Sequence, residues 1–152
     1  MKMLPAEAAP ESCSFDKKEN SQGVVLIVDD DEGIREVLTD IIQLFGFTCK
    51  TAEDANEALR LLREESFELM ITDIKMPGID GMELLREAKR DYPDLDIIMI
   101  TGFSADYSFS DVVIAGASDI ITKPINLEEI EAKINRVVRE RRLRKELEEK
   151  NL

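Results

Sequence analysis

The sequence predicts an α/β fold, a doubly wound parallel sheet of five strands with helices on both faces. Three observations carry that prediction. Four short apolar runs and one mixed strand-like segment, residues 47–52, alternate with five stretches of helical spacing, and such alternation builds a parallel sheet with right-handed crossovers. The runs are apolar almost without interruption, as strands covered on both faces must be. Polar residues gather where the runs end, at Asp29-Asp30, Asp73, Thr101-Gly102 and Lys123-Pro124, and sites in open parallel sheets form at the carboxyl ends of strands.

Val24-Val25-Leu26-Ile27-Val28 is the first strand. Asp31 is placed to cap the helix that follows, with Ile34, Val37, Leu38, Ile41 and Phe45 inward and a stop at Gly46. Residues 47–52 read as the second strand. Asp54 and Glu57 have capping-box spacing, and Ala58, Leu59, Leu61 and Leu62 give that helix its buried stripe. Leu69-Met70-Ile71-Thr72-Asp73 is the third strand, closed by the Pro77-Gly78 turn. A helix from Gly81 turns Met82, Leu84, Leu85 and Ala88 inward until Pro93 breaks it, and Asp80 reads as turn chemistry. Residues 97–101 form the fourth strand, 105–115 a helix ending at Gly116, and 120–123 the fifth strand. Asn126 caps the last helix, whose inner face is Leu127, Ile130, Ile134, Val137 and Val138.

The formal net charge of -13 repels phosphate backbones and argues against direct nucleic-acid binding. There is no histidine. That excludes Ser-His-Asp and Cys-His hydrolases, histidine-ligated metals and phosphohistidine on this chain. Cys13 and Cys49 are the only cysteines, too few for a disulfide framework or a zinc site, which fits a reducing cytoplasm. No run approaches membrane-spanning length.

Asp29, Asp30 and Asp73 meeting at one sheet edge would crowd like charges, which a cation relieves. Magnesium suits such an all-oxygen set, since it takes one or two carboxylates plus phosphate oxygens and water. Lys123 adds a mobile positive charge, Thr101 a hydroxyl donor, and Gly102 room for a ligand to approach. These parts describe phosphoryl transfer onto a carboxylate. Asp73 is assigned as nucleophile because it stands alone on its strand, whereas adjacent Asp29 and Asp30 suit ligation. A phosphatase using an aspartyl nucleophile typically carries a second Asp two residues later, where this chain has Lys75.

Four motifs taken together, Val28-Asp29-Asp30, Thr72-Asp73 through Gly81, Ile100-Thr101-Gly102 and Gly116 through Lys123-Pro124, resemble the receiver domain of two-component response regulators. The resemblance spans about residues 24–138. It implies a flavodoxin-like sheet of strand order 2-1-3-4-5. It implies that Asp73 is the phosphoacceptor, loaded from a phosphohistidine on a sensor histidine kinase or a histidine phosphotransfer protein. Asp29, Asp30, Asp73 and the Lys75 backbone carbonyl would then hold Mg2+, with Asp30 the more direct ligand of the acidic pair. Thr101 would be the switch hydroxyl and Lys123 the phosphoryl partner. The output would be a changed shape and partner rather than a released product, so the chain is not classed as an enzyme. One position departs from the family: where it often has Tyr or Phe, this chain has Ile120. That departure supports an alternative, an interaction or dimerisation module of the same fold that no longer responds to phosphorylation.

Three regions are therefore expected: a disordered leader over 1–22, the receiver over 23–138, and a charged helical extension over 139–152. The extension reads as a solvated helix with pairs such as Arg142–Glu146 and Lys145–Glu149, or as a signalling helix leading to an output domain or pairing two receivers. A homodimer is expected through that helix or through the face of the fourth helix, fifth strand and fifth helix. Phe103, Tyr107 and Phe109 are expected on the signalling side, part core and part partner face.

Overall fold

The computed structural model describes residues 23–102 and 107–150. The expected leader, Cys13, Phe103, the predicted start of the fourth helix at Ala105, and the last two residues lie outside them. The elements are β1 (Val24–Val28), α1 (Glu32–Leu44), β2 (Thr48–Ala52), α2 (Ala55–Glu64), β3 (Leu69–Asp73), α3 (Gly81–Asp91), β4 (Asp96–Thr101), α4 (Phe109–Ile114), β5 (Asp119–Thr122) and α5 (Leu127–Lys150). The five strands form one sheet in the order β2-β1-β3-β4-β5, and every pairing is parallel.

Side chains alternate across each strand, so each apolar run fills two layers. Leu26, Val28, Met70, Ile97, Met99 and Ile120 face α2, α3 and α4. Val25, Ile27, Leu69, Ile71, Ile98, Ile100 and Ile121 face α1 and α5. This explains why β1, β3, β4 and β5 read as nearly unbroken apolar runs, whereas the edge strand β2 exposes Lys50 and Thr51. Burying a side chain such as Leu26 or Ile27 contributes roughly 1.5–3 kcal/mol, so the sheet is held from both sides.

The caps follow the predicted chemistry, with differences of detail. Asp31 accepts the Gly33 and Ile34 N–H groups, and Asn126 Oδ1 accepts the Glu129 N–H at 2.9 Å. Asp54 accepts the Glu57 N–H, but the Glu57 carboxylate accepts the N–H of Glu53 rather than that of Asp54, one residue outside the box. Asp80 is more than a turn former, since its Oδ1 caps α3 by accepting the Glu83 N–H. Ser108 and Asp111 form a capping box that opens α4 at Phe109. The described helix is therefore shorter than the predicted 105–115.

Two predicted core positions are corrected. Val37 is 48% exposed, because α1 turns Leu38 and Ile42 onto the sheet and leaves Val37 on its flank. Leu127 is 52% exposed at the first turn of α5; the buried stripe begins at Ile130.

The helix α5 continues unbroken through its charged stretch. Arg141 and Arg144 lean back onto the amino end of β4, where both donate to Asp96 Oδ2, at 3.2 and 3.0 Å. Arg141 also reaches the Asp94 carbonyl. Local spacing alone predicted pairing within the helix; these contacts join residues 45 and 48 positions apart. Leu143 and Leu147 face outward.

Candidate functional site

At the carboxyl end of the sheet, β1, β3, β4 and β5 each deliver one part of the site. The strand β1 ends at Val28, and its pairing continues one step as the Asp29 N–H donates to the Ala52 carbonyl. That bond holds Asp29 at the rim, where it is 1% exposed. Its Oδ1 accepts the Asp31 N–H at 2.9 Å. Its Oδ2 is buried and has no hydrogen-bond partner. Arg35, a turn into α1, donates to the Asp29 carbonyl oxygen at 2.7 Å and fixes the turn from outside.

Asp73 closes β3, itself buried throughout. Carboxylate oxygens of Asp29, Asp30 and Asp73 all lie within 4.8 Å of one another. Lys123, just beyond β5, donates from Nζ to Asp73 Oδ2 at 3.0 Å, and the Lys75 N–H donates to Asp73 Oδ1 at 3.3 Å. Thr101 ends β4 beside Thr122 of β5, with its hydroxyl donating to the Gly102 carbonyl at 2.9 Å. Its carbonyl accepts the Lys123 N–H at 2.8 Å, so backbone pairing joins the strand ends carrying Thr101 and Lys123. The predicted residues Asp29, Asp30, Asp73 and Lys123 are thus one cluster, with Thr101 on the adjoining strand end. Ile120 lies away from the rim, 5% exposed in the α3–α4 core layer.

The electrostatics of this cluster are strained. Burial pushes the Asp29 carboxyl up to about 6, the Asp31 N–H pulls it back, and the charge of Asp73 pushes it up further. Burial acts to lower the Lys123 ammonium, but its bond to Asp73 and the charges of Asp73, Asp29 and Asp30 outweigh this and raise it. Three carboxylates therefore share one lysine, and one buried oxygen faces no donor. Leaving such a group unmatched is costly. A hard divalent cation bound by oxygen resolves both deficits, and the donor set fits Mg2+.

Two contacts had no local sequence signal. One is the Arg35 bond to Asp29. The other is Tyr107, whose hydroxyl donates to Asp80 Oδ2 at 3.1 Å across 27 residues of sequence.

The sequence profile described as "Response regulator receiver domain" matches residues 25–135. The DNA-binding transcriptional regulator NtrC of Salmonella typhimurium is 36% identical over 117 residues, which is 77% of this chain and 25% of that protein. Response regulator protein FleR of Pseudomonas aeruginosa is 37% identical over 66% of this chain and 21% of its own length. The chain thus spans about a quarter of the length of such curated relatives. Among solved structures, a CheY-like receiver domain protein from Methanospirillum hungatei superposes with TM-score 0.73 at 34% identity, covering 80% of this chain and 97% of that one. The receiver domain of NtrX from Brucella abortus does so with TM-score 0.71 at 31% identity, covering 76% and 98%.

Proposed function

This chain belongs to the family of response regulator receiver domains of two-component signalling, and from that premise we propose that it is a switch thrown by phosphorylation of Asp73. An Asp73 carboxylate oxygen attacks phosphorus of a phosphohistidine on a partner sensor kinase or phosphotransfer protein. The new O–P bond forms as the N–P bond breaks, and the imidazole leaves. Asp29, Asp30, Asp73 and the Lys75 carbonyl are the proposed holders of Mg2+, which when bound offsets negative charge on the transferring group. Lys123 shields Asp73 before transfer and pairs with a phosphoryl oxygen afterwards. The Thr101 hydroxyl turns from the Gly102 carbonyl toward that same oxygen.

The single observation that carries this reading is the buried, partnerless Oδ2 of Asp29, on a carboxylate with an oxygen within 4.8 Å of those of Asp30 and Asp73. Side chains that serve only to cap helices do not require a buried carboxylate oxygen left unmatched. No helix among the described residues is long and apolar enough to cross a membrane, and we place the protein in the cytoplasm. Its partners are a kinase and, through the α4–β5–α5 face or the extension of α5, a second copy. Direct contact with nucleic acid by these residues is not part of the proposal. The chemistry stays on the protein's own aspartate, so it is a switch rather than a turnover enzyme.

The test is to incubate the protein with Mg2+ and acetyl phosphate and to map the added mass. Modification of Asp73, abolished by EDTA and absent in Asp73→Asn, is expected. Modification persisting in Asp73→Asn refutes the assignment. Ile120 favours the second reading, an insensitive module of the same fold. That reading holds if Asp73 is modified yet oligomeric state and kinase affinity do not change.

A further inference from the structure

The segment from Asp73 to Gly81 carries the acceptor out of the sheet and turns back into α3. It is pinned at its far end from beneath. The Gly81 N–H donates to the Ile74 carbonyl at 2.7 Å, and a Cβ at Gly81 would lie 2.1 Å from the Asp73 carbonyl oxygen. The first residue of α3 therefore lies directly against the acceptor's own backbone.

The neighbouring residue, Asp80, is held by two donors on its two oxygens. The Glu83 N–H takes Oδ1, which caps the helix, and the Tyr107 hydroxyl takes Oδ2. Capping needs one oxygen, so the second contact is additional to it. Tyr107 is half-buried against the α3–α4 core layer. A phenylalanine would fill that volume equally well, so the hydroxyl is what packing leaves unexplained. A phenol donating to a carboxylate is a charge-assisted bond, stronger than a neutral one. It joins the chain after β4, which carries Thr101, to the chain after β3, which carries Asp73.

We propose that Tyr107 is a positioning residue for the phosphoacceptor: by holding Asp80, and through it Gly81, its hydroxyl fixes the backbone at Asp73 and Ile74. The proposal rests on the reading of Asp73 as acceptor. It predicts that the bond senses occupancy of the site, since any shift of the Asp73 backbone passes through Gly81 to Asp80.

The sequence supplies its own probe. It has two tyrosines and no tryptophan, so Tyr92→Phe leaves Tyr107 as the single intrinsic emitter. The full chain is titrated with Mg2+ and beryllofluoride, a stable phosphoryl mimic, and occupancy is read independently by fluorine NMR. Tyr107 emission is expected to change in step with occupancy. In Asp80→Ser, which keeps a cap for Glu83 but offers no second oxygen, the change is expected to vanish. Tyr107→Phe should weaken beryllofluoride binding about threefold to tenfold, the size of one partly exposed hydrogen bond, with its thermal midpoint within a few degrees of the native one. Adding Asp80→Ser to Tyr107→Phe should weaken it no further, because both remove one contact. Full occupancy with unchanged Tyr107 emission and native affinity in Tyr107→Phe overturns the proposal and leaves the Asp73 reading intact. Absence of beryllofluoride binding to the native chain strikes the Asp73 reading itself, and the positioning role falls with it.

Discussion

Asp29 and Asp96 are buried at opposite ends of one sheet and are treated in opposite ways. Asp96, at the amino end of β4, is 6% exposed and has a partner for each oxygen. Its Oδ1 accepts the Ser118 hydroxyl at 2.8 Å, and Arg141 and Arg144 share Oδ2. Asp29, at the carboxyl end of β1, keeps one oxygen without any donor and sits among like charges. Both acids are desolvated, but only one is compensated by the protein. A compensated acid ties elements together, here α5 to β4 and β5. An uncompensated one stores a deficit that a ligand can relieve, which is the physical mark of a site.

Removing the compensated acid should have the largest effect on stability. Asp96→Ala strands the mostly buried Arg141, and breaking such a pair costs about 3–5 kcal/mol, less here because Arg144 is half exposed. A loss of about 2–4 kcal/mol in urea denaturation is expected, with Mg2+ affinity unchanged. A loss below about 1 kcal/mol would mean that the amino-end cluster is an ordinary solvated ion pair.

Asp29→Asn should move stability the other way. With a folded-state value of about 6 against an ordinary 3.8, the folded protein holds this proton longer than the unfolded chain does. Between those values the folded state binds more protons, so stability falls as pH rises, and above about 6 the full penalty is present. The metal-free Asp29→Asn variant should therefore gain about 1–2 kcal/mol at pH 7, after allowance for screening. The stability difference between it and the native chain should shrink as pH falls from 6 to 4. In the native chain Mg2+ at ten times its Kd should restore about 1.4 kcal/mol, and in the variant nothing. A variant less stable than the native chain at pH 7 would show that Asp29 is compensated after all.

Ser118→Ala removes a hydroxyl that bridges Asp96 Oδ1 and the Ile97 N–H, and should cost about 1 kcal/mol by thermal melting. Smallest of all is Leu147→Ser on the outer face of α5. Monomer stability should change by less than about 0.5 kcal/mol, and a larger loss at high protein concentration alone would identify that face as a contact between copies.

The two ends also differ in how far the sequence disclosed them. The carboxyl end was legible because four of the five strand-like runs stop at a residue with a chemical role; only the second, ending at Ala52, does not. Asp29, Asp30, Asp73, Thr101 and Lys123 could be gathered from topology alone, since parallel strands bring equivalent ends together. The amino end was not legible. Arg141 and Arg144 looked like members of a solvated helix because spacing along a helix reveals only neighbours three or four residues away. Their partner, Asp96, lay just before a run read from Ile97, so it drew no notice. Tyr107 and Asp80 escaped for the same reason: a lone tyrosine and a turn aspartate carry no mark of their meeting. Val37 was misplaced because several apolar residues shared one helix and periodicity did not choose which pair would point straight down.

The crowding at Gly81 has a consequence for how this protein tolerates change. A methyl group there would collide with the Asp73 carbonyl oxygen at 2.1 Å, an obstacle made of backbone that no rotamer can sidestep. In a saturation library scored for folding, position 81 should be the most nearly empty column of its helix, although glycine offers no reactive atom. Alanine, usually the mildest replacement in a helix, should fail there as surely as tryptophan.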